Sequence, residues 1–155
     1  MQSGEELEAD VVISATGLKM IPFGGIKMFV DEEQINFSQT TQYKGVMLSG
    51  IPNFFVASGY TNASWTLKCD LTSQYFCRLV NYCLKKGHKV CVPKDIKNSE
   101  KKMMQVGLES GYILRSIEEF PREGLHSPWK LRQNYFLDLF ELKLSRLRNK
   151  NISFS

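Results

Sequence analysis

A short apolar run that ends in a glycine and passes into a long amphipathic pattern restricts a chain to few arrangements. Residues 50–70, GIPNFFVASGYTNASWTLKCD, contain that sequence of signals. Phe54, Phe55, Val56 and Ala57 predict a strand, and Gly59 permits a turn that a side chain would obstruct. Thr61, Asn62 and Ser64 offer oxygens to cap a helix whose apolar period begins just after them. A strand handed to a helix N-terminus through glycine presents free backbone N–H groups and the positive end of the helix dipole. Such a junction suits an anionic or electron-rich group. The pattern alone is not diagnostic, because many junctions of this kind bind nothing.

The flanking sequence predicts a mixed α/β chain. Asp10–Thr16 (DVVISAT) is a continuous β-prone run ending at Gly17, as in a strand buried on both faces. Lys27–Val30 and Gln34–Phe37 read as a hairpin across Asp31-Glu32-Glu33, and Tyr43–Leu48 as one more short strand. Leu67, Leu71, Tyr75, Leu79 and Cys83 recur every fourth residue, with Phe76, Val80 and Leu84 beside them. They predict one helix over Ala63–Lys86 with a wide apolar face, stopped by Gly87. His88–Val92 reads as a strand, Tyr112–Phe120 as a short helix, and Ser127-Pro128 as the opening of a last helix. The polar stretch 94–111 carries no clear signal, and the tail after Arg148 is expected to fray.

Composition removes several function classes. At 155 residues with 43% hydrophobic and 23% charged content, the chain has the makeup of an ordinary globular domain. Twenty basic against sixteen acidic residues leave only +4. The lysines between Lys85 and Lys102 lack the interleaved aromatics of a base-stacking surface, so no nucleic-acid partner is expected. Lys68, Asp70 and Arg78 interrupt the longest candidate membrane span, and the start, MQSGEELEAD, is too acidic for a secretory signal. Cys69, Cys77, Cys83 and Cys91 form no CxxC pair, and His88 and His126 stand apart from them. Reduced thiols packed as small hydrophobes are expected, with no metal site and a cytoplasmic location. The sequons Asn62-Ala63-Ser64 and Asn151-Ile152-Ser153 carry no weight without export.

Ala15-Thr16-Gly17 supplies small residues at the end of its expected strand, where a flat cofactor or another backbone could approach closely. Read alone, it is more readily a buried strand meeting a tight turn. The order DVVISATG, YKGVMLSGIPNFFVASGYTNASWTLKCDLTSQYFCRLVNY, GYILRSIEEFP and SPWKLRQNY resembles the C-terminal part of flavoprotein monooxygenases of the Baeyer–Villiger type, which use FAD and NADPH. Within that family it is most similar to the ethionamide-activating branch. The likeness runs from about Glu8 to about Asp138.

The resemblance implies an α/β fold, the C-terminal portion of a flavoprotein with two dinucleotide-binding domains. It implies that residues 1–92 close the FAD-binding domain and that residues 93–155 form a helical extension. Ala15, Thr16 and Gly17 would lie where the chain returns from the NADPH domain to the FAD domain. Asn53, Gly59, Thr61, Asn62 and Ala63 would face the flavin from the closing strand and helix start. The implied reaction inserts one oxygen atom into a ketone or oxidises a sulfur or nitrogen of a small organic substrate.

The chain departs from the family in having no G-x-G-x-x-G fingerprint for either nucleotide. Gly45 and Gly50 have P-loop spacing, but Ile51-Pro52 follow where Lys and Ser/Thr are needed. No catalytic residue carries over. The chain is therefore expected to be inactive alone and to need the N-terminal portion of the same enzyme as its partner. The competing reading is a non-enzymatic remnant or interaction module that kept the helices and lost the chemistry.

Overall fold

The computed structural model describes residues 3–6, 8–104 and 111–155. The chain opens on an extended, exposed segment. Asp10–Thr16, expected as an interior strand, pairs with no strand among the described residues, and Val11, Val12 and Ile13 are 76%, 84% and 86% exposed. A strand exists through the backbone groups of a neighbour. The described part of the chain provides none, so this apolar run stays open to water.

Two tight hairpins follow. β1 (Phe29–Val30) pairs with β2 (Glu33–Gln34) across Asp31 and Glu32, whose φ angles of 49° and 69° make the mirror-image turn that matches strand twist. This is the hairpin expected there, with a two-residue turn. The expected single strand over Tyr43–Leu48 is instead folded on itself. β3 (Gln42–Tyr43) pairs with β4 (Met47–Leu48), and Lys44 and Gly45 reverse the chain at φ 55° and 65°. Phe54–Ala57, the expected strand of the opening motif, belongs to no ladder and meets the turn of the β3–β4 hairpin through the Val56 N–H, which donates to the Val46 carbonyl (2.7 Å).

α1 (Trp65–Lys86) fulfils the periodicity read from the sequence. It ends as expected at Gly87 in a left-handed conformation, φ 71°, with the His88 N–H returning to the Cys83 carbonyl (2.9 Å). Its buried face is narrower than the pattern promised. Lys68, Leu71, Thr72, Tyr75 and Leu79 are buried, while Leu67, Phe76, Val80 and Leu84 remain exposed. The wide stripe is real in sequence, but half of it finds no cover among the described residues.

β5 (Cys91–Pro93) follows, overlapping the expected His88–Val92 strand at Cys91 and Val92 but continuing through Pro93, the residue expected to end it. Inside the polar stretch 94–111, β6 (Lys101–Lys102) forms, and residues 105–110 lie outside the described set. α2 (Gly111–Ser116) and a 3-10 turn through Glu119 occupy the segment expected as a short helix. They hold the N-terminal segment by three contacts. Arg115 Nη2 donates to the Thr16 carbonyl (3.3 Å), Met20 N–H donates to Ser116 Oγ (3.1 Å), and Lys19 pairs with Glu119 (2.7 Å).

β7 (Glu123–Gly124) pairs with β6, and the chain then turns through a cis Ser127-Pro128 bond. The helix expected to open at Ser127 starts instead at α3 (Tyr135–Leu139), capped by Asn134 Oδ1 accepting from Leu137 N–H (3.1 Å). The carbonyl of Pro128 is taken by the Lys44 N–H (2.6 Å), a tertiary bond that removes it from any helix. A single wide π-turn, Phe140–Leu144, prolongs α3. The tail does not fray: β8 (Ile152–Phe154) pairs with β5, and Ile152 is buried in the core.

Among the described residues, four two-stranded antiparallel ladders accompany one long helix, a mixed α/β arrangement compatible with part of a flavoprotein. The core draws on both sides of position 92, joining Tyr43, Met47, Leu71, Tyr75 and Leu79 to Trp129, Leu142 and Ile152. No helix among the described residues is long and apolar enough to cross a membrane. The four thiols are free, with Cys91 buried and Cys77 exposed, so Cys77 does not pack as expected. Val11, Val12, Ile13 and the open face of α1 together predict self-association of the purified chain. Sedimentation velocity should show oligomers, whereas a monomer with a sharp, cooperative thermal transition would contradict this.

Lys44 is buried at the hairpin turn, with its Nζ donating to the Glu141 carbonyl (3.0 Å) and Ser145 Oγ (2.6 Å) at the end of the π-turn. Burial lowers its pKa to about 8, against an ordinary 10.5, with Glu141 partly opposing and Arg78 assisting the fall. The folded state therefore binds fewer protons than the unfolded state between these values, and stability rises there by about 1.4 kcal/mol per pH unit from this group alone. Below pH 8 the full cost of the buried charge is present. Comparing denaturation of Lys44→Met with the native chain isolates this contribution. The variant's relative stability should be greatest below pH 8 and decline as pH approaches 10; a difference independent of pH would refute the assignment.

Candidate functional site

The loop from Ser58 to Ser64 and the first turn of α1 form one wall of a cavity of about 200 Å³. Val46, Met47 and Leu48 of the β3–β4 hairpin form a second wall, and Met104, Phe120, Leu131 and Gln133 close the remainder. The lining is mostly apolar. Its polar groups are few and placed at the helix end: Ser58, Thr61, Gln133 and Lys68, with Gln42 at the hairpin, where Nε2 donates to Met104 Sδ (3.1 Å). An apolar pocket with a small set of converging polar groups is the usual form of a small-molecule or cofactor site.

The helix end itself is left open by its own sequence. Ser64 occupies the N-cap position, but its hydroxyl lies 2.9 Å from Thr66 Oγ1 and makes no capping bond. No acidic residue stands in the first turn. The first turn of a 22-residue helix thus borders the cavity, through Trp65 and Lys68, with no acidic residue of its own to offset its positive end. The expected capping role of Thr61 and Asn62 is replaced by contacts to the α3 approach. Gln133 Oε1 accepts from Thr61 N–H (3.1 Å), and Asn62 Nδ2 donates to the Gln133 carbonyl (3.1 Å).

Gly59 is fixed by close approach. A Cβ there would lie 2.1 Å from Trp65 Cδ2 and 2.6 Å from Trp65 Cα, so the indole can lie against the loop only because the position carries no side chain. Gly45 plays a similar part on the opposite wall, where a Cβ would meet Leu131 Cδ2 at 3.1 Å.

Behind the cavity, Lys68 occupies a core position of α1. Its Nζ lies 3.3 Å from Asp138 Oδ2 and 3.3 Å from the Arg132 carbonyl, with the Tyr60 ring centroid at 5.1 Å. Tyr60 donates its hydroxyl proton to the same Asp138 oxygen (2.8 Å). Burial and the adjacent carboxylate hold the Tyr60 phenol well above its ordinary pKa. This buried network ties the helix start to α3 and fixes the back of the pocket. Sequence reasoning missed it, along with Met104, Leu131 and Gln133. The available signal was a lysine at a core position of the helical stripe, one turn ahead of Leu71 and Thr72, which demands a buried anionic partner.

The residues singled out from sequence divide into three groups. Gly59 and Thr61 line the cavity, and Asn62 and Ala63 lie exposed between them and α1. Asn53, at φ 55°, serves the backbone elsewhere: its Oδ1 accepts from Cys91 N–H (3.0 Å) and its Nδ2 donates to the Lys89 carbonyl (3.0 Å). Ala15, Thr16 and Gly17 lie in the exposed N-terminal segment beside Arg115 and are not brought to the cavity. No cluster of three or more metal-ligating side chains occurs among the described residues.

No protein-family profile matches the chain, and no solved structure matches it. Curated sequences do. Over all 155 residues the chain is 41% identical to the FAD-containing monooxygenase EthA of Mycobacterium tuberculosis and 39% identical to EthA of Mycolicibacterium smegmatis, covering 32% of each. Over 147 residues it is 42% identical to the probable FAD-binding monooxygenase AlmA of Acinetobacter baylyi, covering 94% of this chain and 30% of that protein. The chain is a relative of the FAD-containing monooxygenases. It spans about a third of the length of these relatives and corresponds to their C-terminal part. The resemblance to flavin monooxygenases read from the motifs is thus matched by 41% identity along the whole chain to a FAD-containing monooxygenase.

Proposed function

We propose that this chain forms the flavin-facing C-terminal part of a monooxygenase that uses FAD, NADPH and oxygen to insert an oxygen atom into a ketone or to oxidise a sulfur or nitrogen. The observation that carries the reading is the uncapped, acid-free N-terminus of α1 opening on an apolar cavity. It occurs in a chain 41% identical to a FAD-containing monooxygenase. FAD, when bound, supplies the electron transfer and oxygen activation.

The residues present suit such a group. The α1 N–H groups would favour negative charge on a flavin held in this cavity. Gly59 keeps the loop thin where a flat ring must approach, and Met47, Leu48 and Leu131 exclude water behind it. Asn53 acts indirectly, by anchoring the loop to β5. In this reading residues 1–92 complete the FAD-binding domain, with Ala15-Thr16-Gly17 in the crossing strand, and residues 93–155 pack against it. The N-terminal portion of the enzyme brings both glycine fingerprints and the remaining strands of a two-dinucleotide-domain fold. Asp10–Thr16 becomes a strand when that sheet is present.

The test is a chimera in which residues 1–155 replace the corresponding third of M. tuberculosis EthA. The folded chimera is expected to retain FAD through gel filtration and to oxidise NADPH, while the chain alone does neither. A chimera with native circular dichroism that releases its flavin would overturn the proposal.

A further inference from the structure

The α1 cavity is lined largely by carbon, so its few unspent polar atoms decide what it can hold. Gln133 supplies such an atom. Its Oε1 accepts from Thr61 N–H (3.1 Å), and a backbone N–H can only donate, so the two ends of the amide are assigned by chemistry. The backbone carbonyl of Gln133 is taken separately by Asn62 Nδ2 (3.1 Å). Main chain and side chain are thus both tied to the loop that precedes α1. Nε2 lies at the opposite corner of the planar amide and carries two N–H donors. Among the described residues nothing accepts from it, yet it is not sealed off as the buried, unpartnered Thr72 Oγ1 and Tyr75 hydroxyl are.

The other polar side chains of the lining are less suited to select a ligand. Gln42, on the hairpin wall, commits its Nε2 to Met104 Sδ (3.1 Å). Lys68 is almost fully buried, with its Nζ shared between Asp138 Oδ2 and the Arg132 carbonyl, so its charge is balanced in place. Ser58 offers a hydroxyl, which rotates to donate or accept and so discriminates poorly. Gln133 brings an oriented, unspent donor to an apolar wall formed by Val46, Met47, Leu48 and Leu131.

We propose that Gln133 is a specificity-determining residue of this cavity, its Nε2 donating to a carbonyl oxygen of the largely apolar molecule held there. The identity of that molecule rests on the flavin monooxygenase reading above: the oxygen belongs to a ring carbonyl of the flavin or to a ketone substrate. The chemistry is the same in both. A carbonyl that leaves water for an apolar pocket needs a replacement donor, and Gln133 provides one already held in position by Thr61. A molecule of the same shape without the oxygen leaves that donor unpaired, which is how a pocket rejects an analogue.

The test follows the Gln133 side-chain amide in proton–nitrogen correlation spectra of the full chain, titrated with lumiflavin and, separately, with benzylacetone. A saturable shift of that resonance is expected. A shift with benzylacetone assigns the oxygen to a substrate, and a shift with lumiflavin alone assigns it to the cofactor. Gln133→Glu keeps an oxygen for the Thr61 N–H but exchanges the donor for a second acceptor. It should weaken the responding probe about three- to tenfold while leaving the Thr61 amide resonance in place. A purely structural glutamine would show no such loss. Circular dichroism and the thermal midpoint establish that the variant folds, and Gln133→Met replaces it if it does not. The proposal is overturned if neither probe moves the resonance, or if the folded variant binds the responding probe as tightly as the native chain. Flavin retention by the EthA chimera is read independently: its loss with Gln133 present counts against the flavin reading, not against the donor.

Discussion

Asp138→Ala is expected to lower the unfolding free energy by about 3–5 kcal/mol, the usual result of stranding one partner of a buried ion pair. The side chains of Lys68 and Asp138 are only 4% and 6% exposed, so solvent does little to screen their interaction. Removing the carboxylate leaves the Lys68 ammonium with the Arg132 carbonyl and the Tyr60 ring, and leaves the Tyr60 hydroxyl without its acceptor. Urea denaturation measures the loss directly. The double replacement Lys68→Met with Asp138→Leu should recover most of it, because no charge then remains buried. A cost below about 1 kcal/mol for the single variant would place the pair in the class of solvated surface bridges.

Gly59→Ala is expected to be the most damaging change at the α1 cavity, at about 1–3 kcal/mol. The added methyl meets not only the indole of Trp65 but its Cα, at 2.6 Å, so a rotamer change cannot relieve the contact. The loop must move away from the helix start, taking Tyr60 and its bond to Asp138 with it. Denaturation gives the energetic cost, and Trp65 fluorescence gives the local change, because the buried Trp129 provides an internal reference. By contrast, Gly50→Ala is limited to the strain of its φ of 72°, since a Cβ there meets nothing within 4 Å. Equal effects at the two positions would mean that crowding against Trp65 is not what Gly59 avoids.

Much of the fold can be read in the sequence where a signal is local. The Gly87 stop of α1 and the Asp31-Glu32 turn are decided by residues a few positions apart, and both occur as expected. The errors fall where a distant partner decides. Asp10–Thr16 and Phe54–Ala57 have strand propensity, but propensity supplies no neighbouring edge, and neither enters a ladder. Ser127-Pro128 has the chemistry of a helix opening, yet the Lys44 N–H claims the proline carbonyl from far along the chain. The tail carries no strong strand signal and pairs because β5 is waiting for it.

The candidate site was legible to the same extent. Gly59 and Thr61 were marked by the strand–glycine–helix pattern, and both line the cavity. The opposite wall is contributed by residues more than forty positions later, Met104, Phe120, Leu131 and Gln133, which no local pattern connects to them. Asn53 was legible as a special position but not for the right purpose, since its side chain serves the backbone of Lys89 and Cys91.

The β5–β8 ladder sets an order in time. Its first strand leaves the ribosome roughly sixty residues before its second, a delay of several seconds at ordinary rates of synthesis. Through that interval Cys91–Pro93 has its ladder edge open, and the core lacks Ile152. The carbonyl of Ser155, which accepts from the N–H groups of Lys89 (2.7 Å) and Val90 (2.8 Å), arrives later still. Local pieces such as α1 and the two hairpins can form during synthesis, but the native core closes only once β8 has emerged. Until then the nascent chain is a client for whatever shields unpaired edges in the cell.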